Sequence, residues 1–304
     1  MKTLLSCLFL SLVIFMISCQ TEKSQVLNIQ NVIIPDTSST NSNYLSNRSP
    51  LTSSVLIKLP VGAVTPENWL KVALERQANG LMGNLGEISA WLQEEDNAWL
   101  SEDGTGSWGW EEVPYWLKGY GNTAYILKDE EMIAETKKWI EAALSSQRPD
   151  GNFGPKMIGK DGTQDFWSNM IMLYCLQSYY EYSGDEWVIN FMSRYFKYQL
   201  QVPDEEFLSK SHYWQRIRGG DNLHSVFWLY NRTGEEWLLN LAEKIHRNTA
   251  PWSKRDNTLE EIGNWKETRE GTDWPSWYSN LVDWHNVNVA QGFRELSTIL
   301  PVKP

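Results

Sequence analysis

The chain lacks basic runs, has few cysteines, and shows no stretch of alternating residues that reads as a sheet. Lys and Arg total 27 against 38 Asp and Glu, a formal net charge of -11. Affinity for nucleic acid rests on clustered Lys and Arg, so this composition excludes that partner class. An acidic polymer would be repelled overall, leaving only a local basic pocket to hold one. Three cysteines provide neither a disulfide framework nor a thiolate cluster for zinc. Without period-two alternation the fold class is all-α.

Aromatic residues are abundant: 17 Trp, 13 Tyr and 9 Phe. Cores are built mainly from Leu, Ile and Val, so large rings filling a helical core explain only part of this load. The rings cluster with acids, amides and histidines ahead of apolar helical runs. The densest case is Trp108-Gly-Trp-Glu-Glu-Val-Pro-Tyr-Trp116. Flat rings stack on the C–H faces of sugars, and carboxylates bind hydroxyls and move protons, so the pattern points to a carbohydrate ligand.

Residues 1–19 read as a targeting segment. Lys2 is followed by the apolar run Leu4–Ile17, too short for a comfortable membrane span. Met16-Ile17-Ser18-Cys19 resembles a bacterial lipobox, which implies lipidation at Cys19 and a lipid-anchored place in the cell envelope, at the outer membrane or periplasm. Residues 20–59, rich in Ser, Thr and Asn, read as a flexible tether. Residues 60–304 form the remaining domain.

That domain repeats a pair of helices. Asn169–Tyr182 precedes Glu186–Gln199, and Leu223–Tyr230 precedes Glu235–Arg247. Gly184 and Gly234 suit helix C-caps, with acids opening the next helix. A weaker pair is Tyr115–Leu127 with Glu131–Ser146. Thr65-Pro66-Glu67 starts an earlier helix, and His285–Leu296 is a late one. The first helix of each pair is apolar nearly all round. The second is amphipathic, with Trp237, Leu238, Leu241, Ala242 and Ile245 on one face. The architecture expected is an incomplete (α/α)6-type toroid of about eight helices.

In such a ring alternate helices run parallel, so the segments preceding the inner helices share one rim. Their acids Glu111, Asp165, Asp221 and Asp283 recur at regular intervals along the chain. The candidate substrate-binding residues are Trp108, Trp110, Trp116, Asp165, Trp167, Asp221, Asn222, His285 and Asn288. No catalytic set is assigned; Glu111, Glu112 and Asp221 are the carboxylate candidates. Asp165 and Asp221 also suit plain helix caps, and His224 a core histidine. Gly219-Gly220 is too short for a phosphate loop. No metal ligands are assigned.

The blocks Trp110-Glu-Glu-Val-Pro-Tyr-Trp-Leu-Lys-Gly119, Gln147-Arg-Pro-Asp-Gly-Asn-Phe-Gly-Pro155, Arg218-Gly-Gly-Asp-Asn222, Trp228-Leu-Tyr-Asn-Arg-Thr-Gly234 and His285-Asn-Val-Asn-Val-Ala290 resemble glycoside hydrolase family 127, the bacterial β-L-arabinofuranosidases. The resemblance runs from about Pro66 to Leu300. It implies a catalytic α/α toroid followed by β-sandwich domains, and release of terminal L-arabinofuranose from plant-type glycans. It also implies His285 as a substrate contact. Family members hold zinc with a glutamate and three cysteines, one of them the nucleophile. Cys175 lies in an apolar helix and matches none of these. Zinc is therefore expected of full-length members and no cofactor of this chain, which reads as a truncated and inactive copy. Two other readings stay open: a carboxylate-based toroid hydrolase of the unsaturated glucuronyl hydrolase kind, and a non-catalytic glycan-binding lipoprotein.

Overall fold

A computed structural model describes residues 45–54, 56–158, 162–208, 213–250, 252 and 286–299. The signal segment with Cys19, the first part of the expected tether, Asp283 and His285 lie outside the described residues. Ten α-helices are described: α1 Asn68–Ala78, α2 Leu81–Ile88, α3 Glu112–Leu127, α4 Glu130–Ser145, α5 Trp167–Ser183, α6 Trp187–Gln201, α7 Tyr213–Ile217, α8 Gly219–Thr233, α9 Trp237–Asn248 and α10 Asn286–Ile299. Among the described residues β-structure is limited to two isolated bridges, Asn97 with Trp108 and Ile158 with Gln164. The fold is all-α, as the sequence indicates.

Helix ends follow local chemistry. Gly184 and Gly234 take the left-handed conformation (φ 70° and 71°) and close α5 and α8. Lys128 does the same after α3 at φ 57°, a position where the sequence offers no glycine. Asp129 caps α4 by accepting from the Met132 amide at 3.0 Å. α1 begins at Asn68 with Glu67 as its N-cap, so Pro66 stays outside the helix rather than forming its first position.

Helices α3, α5, α8 and α10 pack side by side as an inner layer, with α4, α6 and α9 outside them. Val188, Phe191, Met192, Tyr195 and Phe196 of α6 are buried, as are Leu238, Leu241, Ala242 and Ile245 of α9. Each such side chain contributes about 1.5–3 kcal/mol by leaving water. Inner helices also bury polar groups, but in pairs: Gln177 on α5 donates to Ser225 on α8 at 2.8 Å. A Cβ at Gly220 would lie 2.5 Å from the Glu295 backbone nitrogen, so glycine there permits the close approach of α8 and α10.

Residues 45–54 and 56–61 make contacts not expected of the tether assigned to 20–59. They form a strap across the C-terminal ends of α5 and α8. The Arg48 amide donates to Asn231 at 2.9 Å, Asn231 donates to Asn47 at 2.9 Å, and Tyr230 donates to the Ser49 carbonyl. Lys58 pairs with Glu181 at 3.0 Å, and Leu51 is buried. Composition did not show these contacts because the partners lie about 180 residues away along the chain.

Lys244 is buried on α9 and closes the end of α6. Its ammonium donates to the carbonyls of Gln199 (3.2 Å), Leu200 (3.0 Å) and Val202. Burial lowers its pKa, partly offset by Asp204. Lys244→Met keeps the stem and leaves those carbonyls without the ammonium. The expected loss is about 1–3 kcal/mol of stability in urea unfolding; an unchanged midpoint would show that water replaces the ammonium there.

Candidate functional site

The inner helices present their N-terminal ends at one rim. Asp165 is fully buried just ahead of α5, whose N-cap is Phe166, and holds the first amide of that helix. Its Oδ1 accepts from the Trp167 amide at 2.9 Å and its Oδ2 from Trp214 Nε1 at 2.6 Å. Asp221 does not cap α8. Its Oδ1 instead accepts from the Tyr174 hydroxyl of α5 at 2.9 Å and from Arg294 of α10. The two acids that looked equivalent in sequence therefore do different work.

Trp167 forms a wall of the rim. Its Nε1 donates to Glu111 Oε2 at 2.5 Å, and the Arg218 guanidinium lies 4.3 Å from its ring centre. Arg218 Nε also donates to Asn288 Oδ1 at 2.8 Å, which joins α10 to the same group. Trp167 itself is buried; the accessible ring is Tyr115, 42% exposed and edge-on to Trp167 at 6.1 Å. The charges of Arg218, Glu111 and Asp221 all reach the Tyr115 hydroxyl, but burial is the largest influence and raises its pKa.

Electrostatics divide the carboxylates. Burial raises the Asp221 pKa, against the opposing pull of Arg294, Tyr174, Lys118 and Arg218. Burial also raises Glu112, with the neighbouring Glu111 charge adding to it. His224, one turn along α8, is pushed down to about 4 by burial and is neutral at pH 7. Tyr174 is raised well above the usual phenol value, so it serves as a hydrogen-bond donor.

The family resemblance implies a zinc–thiolate set, and the described residues do not fit it. Among them no three His, Cys, Asp or Glu side chains converge. Cys175 is buried on α5, its Sγ 3.4 Å from the Pro114 carbonyl, and burial pushes its thiol up to about 12. A thiol held in that state is neither a ready nucleophile nor a metal ligand.

The structure brings together Glu111, Trp167, Asp221 and Asn288, with Asp165 behind them. It places other candidates elsewhere. Asn222 is fully buried and exchanges hydrogen bonds with Gln199 of α6 at 2.8 and 3.4 Å, because its side chain faces the outer layer. Trp116 donates to the Met82 carbonyl at 3.0 Å and packs on Tyr120 and Trp139, on the far side of α3. Trp108 lies edge-on to Trp91 at 5.3 Å, and Trp110 donates to Gly106 at 3.2 Å within the preceding loop. Glu112 has a buried, unpartnered Oε2.

Sequence reasoning passed over Tyr115, Tyr174, Arg218, Gln291 and Arg294. A register signal existed for two of these: Asn288, Gln291 and Arg294 recur every three residues along one helix. Tyr174 carried no such mark, since its partners come from α8 and α10.

Asp221 generates a pH test with a defined sign. Its folded pKa lies above the ordinary value of 3.8, so the folded chain holds this proton to higher pH than the unfolded chain. Falling pH through that window therefore favours folding. Relative to Asp221→Asn, wild type should gain stability as pH falls from above the raised value towards 3.8, and the difference should be flat on either side. Parallel urea unfolding of both proteins measures it. A slope of opposite sign would mean that Arg294 and Tyr174 outweigh burial.

The rim joins carboxylates, an accessible phenol, amides and a cation-covered indole. No curated protein and no solved structure matches the chain. Residues 29–289 match the family model described as the β-L-arabinofuranosidase, GH127 catalytic domain. That match spans most of the chain, and the chain belongs to glycoside hydrolase family 127.

Proposed function

We propose that the rim binds the terminal L-arabinofuranosyl unit of a plant-type glycan. The observation that carries this reading is a set of buried polar atoms without partners: Asp221 Oδ2, Asn288 Nδ2 and Gln291 Oε1. All belong to the N-terminal halves of inner helices α8 and α10. Buried polar groups are normally paired, so a cluster of open acceptors and one donor suits a ligand rich in hydroxyls. Tyr115 supplies the accessible ring for a sugar C–H face.

For chemistry, the described residues supply carboxylates rather than a thiolate. Asp221, with its raised pKa, suits a proton donor, and Glu111, which accepts from the Trp167 indole, is the second carboxylate at the rim. This favours the carboxylate-based reading over catalysis by Cys175. Binding without turnover is the remaining alternative. In cellular terms we propose a lipid-anchored envelope protein, on the strength of the apolar run ending at Cys19.

The test combines calorimetry with arabinan oligosaccharides and hydrolysis of an aryl β-L-arabinofuranoside. Tyr115→Ala should weaken oligosaccharide binding about tenfold, roughly 1.4 kcal/mol. Asp221→Asn and Glu111→Gln should each abolish any hydrolysis, while Cys175→Ala should leave it unchanged. Absence of binding by the wild-type protein would sink the glycan reading. Loss of hydrolysis in Cys175→Ala alone would overturn the carboxylate assignment.

A further inference from the structure

The inner helices and the strap border a second, half-open space lined by both polar and apolar side chains. Its walls come from the C-terminal ends of α5 and α10 and from α8 between His224 and Arg232, and its floor is the strap. The cavity measures about 370 Å³ and contacts His224, Trp228, Glu181, Thr298 and Ser54. Leu56 on the strap also lines it and is 89% exposed, so the chamber opens to solvent beside the strap.

The cavity has the features of a built site. The His224 Nδ1 is buried and has no hydrogen-bond partner, although it borders a polar space. Its imidazole is neutral, so it offers one donor and one acceptor, a match for hydroxyls. The formal charges nearby converge on one carboxylate, which two cations share. Glu181 receives Lys58 at 3.0 Å, the Trp228 indole N–H at 3.2 Å and the Val61 amide at 3.3 Å, with Arg232 at 3.7 Å. The Arg232 guanidinium in turn covers the Trp228 ring at 3.7 Å. With both cations held by Glu181, the neutral His224 imidazole and the Ser54 and Thr298 hydroxyls match a ligand rich in hydroxyls.

Size narrows the ligand further. Small-molecule sites run from about 300 to 1,000 Å³, and this one lies at the low end. It accommodates one sugar ring and not an oligosaccharide. The chamber is also distinct from the rim. Between them stands Tyr174, which holds Asp221 and Arg294 on one side and lies 5.4 Å from the His224 ring on the other.

We infer that this chamber is a second binding site, which takes a single neutral monosaccharide or polyol of similar size under the strap. The inference does not depend on hydrolysis at the rim, and its test separates the two.

The probe is L-arabinose, applied to the full chain in calorimetry and in crystals. One ring should occupy the chamber with a hydroxyl on the His224 imidazole. Ser54→Trp, which fills the space from the strap, and His224→Leu, which removes the hydrogen-bonding nitrogen, should each weaken that binding at least tenfold. Tyr115→Ala at the rim should leave it unchanged. Ser54 lies on the strap outside every helix, so that variant answers even where His224→Leu fails to fold. A chamber holding only water in the presence of the sugar would overturn the inference. So would sugar heat lost in Tyr115→Ala and retained in Ser54→Trp.

Discussion

The junction of Asp221 with Tyr174 and Arg294 is the interaction on which the inner layer depends. Asp221 is 2% exposed on α8, and its partners come from α5 and α10. A buried carboxylate is costly unless paired and hydrogen-bonded. The three helices therefore have one arrangement in which that cost is met. Such a pair adds little net stability over an apolar replacement, but it restricts register. Register matters here because Asn288 and Gln291 share a helix with Arg294. Holding Arg294 against Asp221 also sets where those amides face.

Around that junction, outer and inner layers follow different rules. The outer helices need only one apolar face, so α6 and α9 are amphipathic and dock by burying Phe191, Tyr195, Leu238 and Leu241. The inner helices have neighbours on several sides. They bury polar residues wherever partners exist, as in Gln177 with Ser225 or Asn222 with Gln199, and leave polar atoms open at the two ends. Those open ends are the rim, where ring, acid and amide converge, and the chamber under the strap. Both are consequences of polar residues placed on an otherwise apolar inner layer.

Much of the helical frame was legible in the residues themselves. Gly184 and Gly234 marked helix ends because few other residues adopt the left-handed conformation without strain. The outer-face pattern of α9 was readable because its period repeats every turn. The rim was partly legible: acids ahead of inner helices pointed to it, yet Asp165 and Asp221 looked alike. Only their surroundings separate them, one bound to its own helix and to Trp214, the other to α5 and α10. Trp116 and Asn222 sit in the right segments but point outward, since a shift of one or two residues turns a side chain to another face of a helix.

By itself, the sequence determined the all-α class, the alternation of apolar and amphipathic helices, and the family, because these reside in local periodicity and in ordered blocks of residues. The tertiary structure alone decided that residues 45–54 and 56–61 strap the C-terminal ends of α5 and α8, and that Cys175 is an inert buried thiol. It also decided which carboxylate holds the start of its own helix and which one joins three. The physical reason is common to all of these. Burial, and the partners that compensate it, depend on residues far apart in the chain, and no local pattern records them.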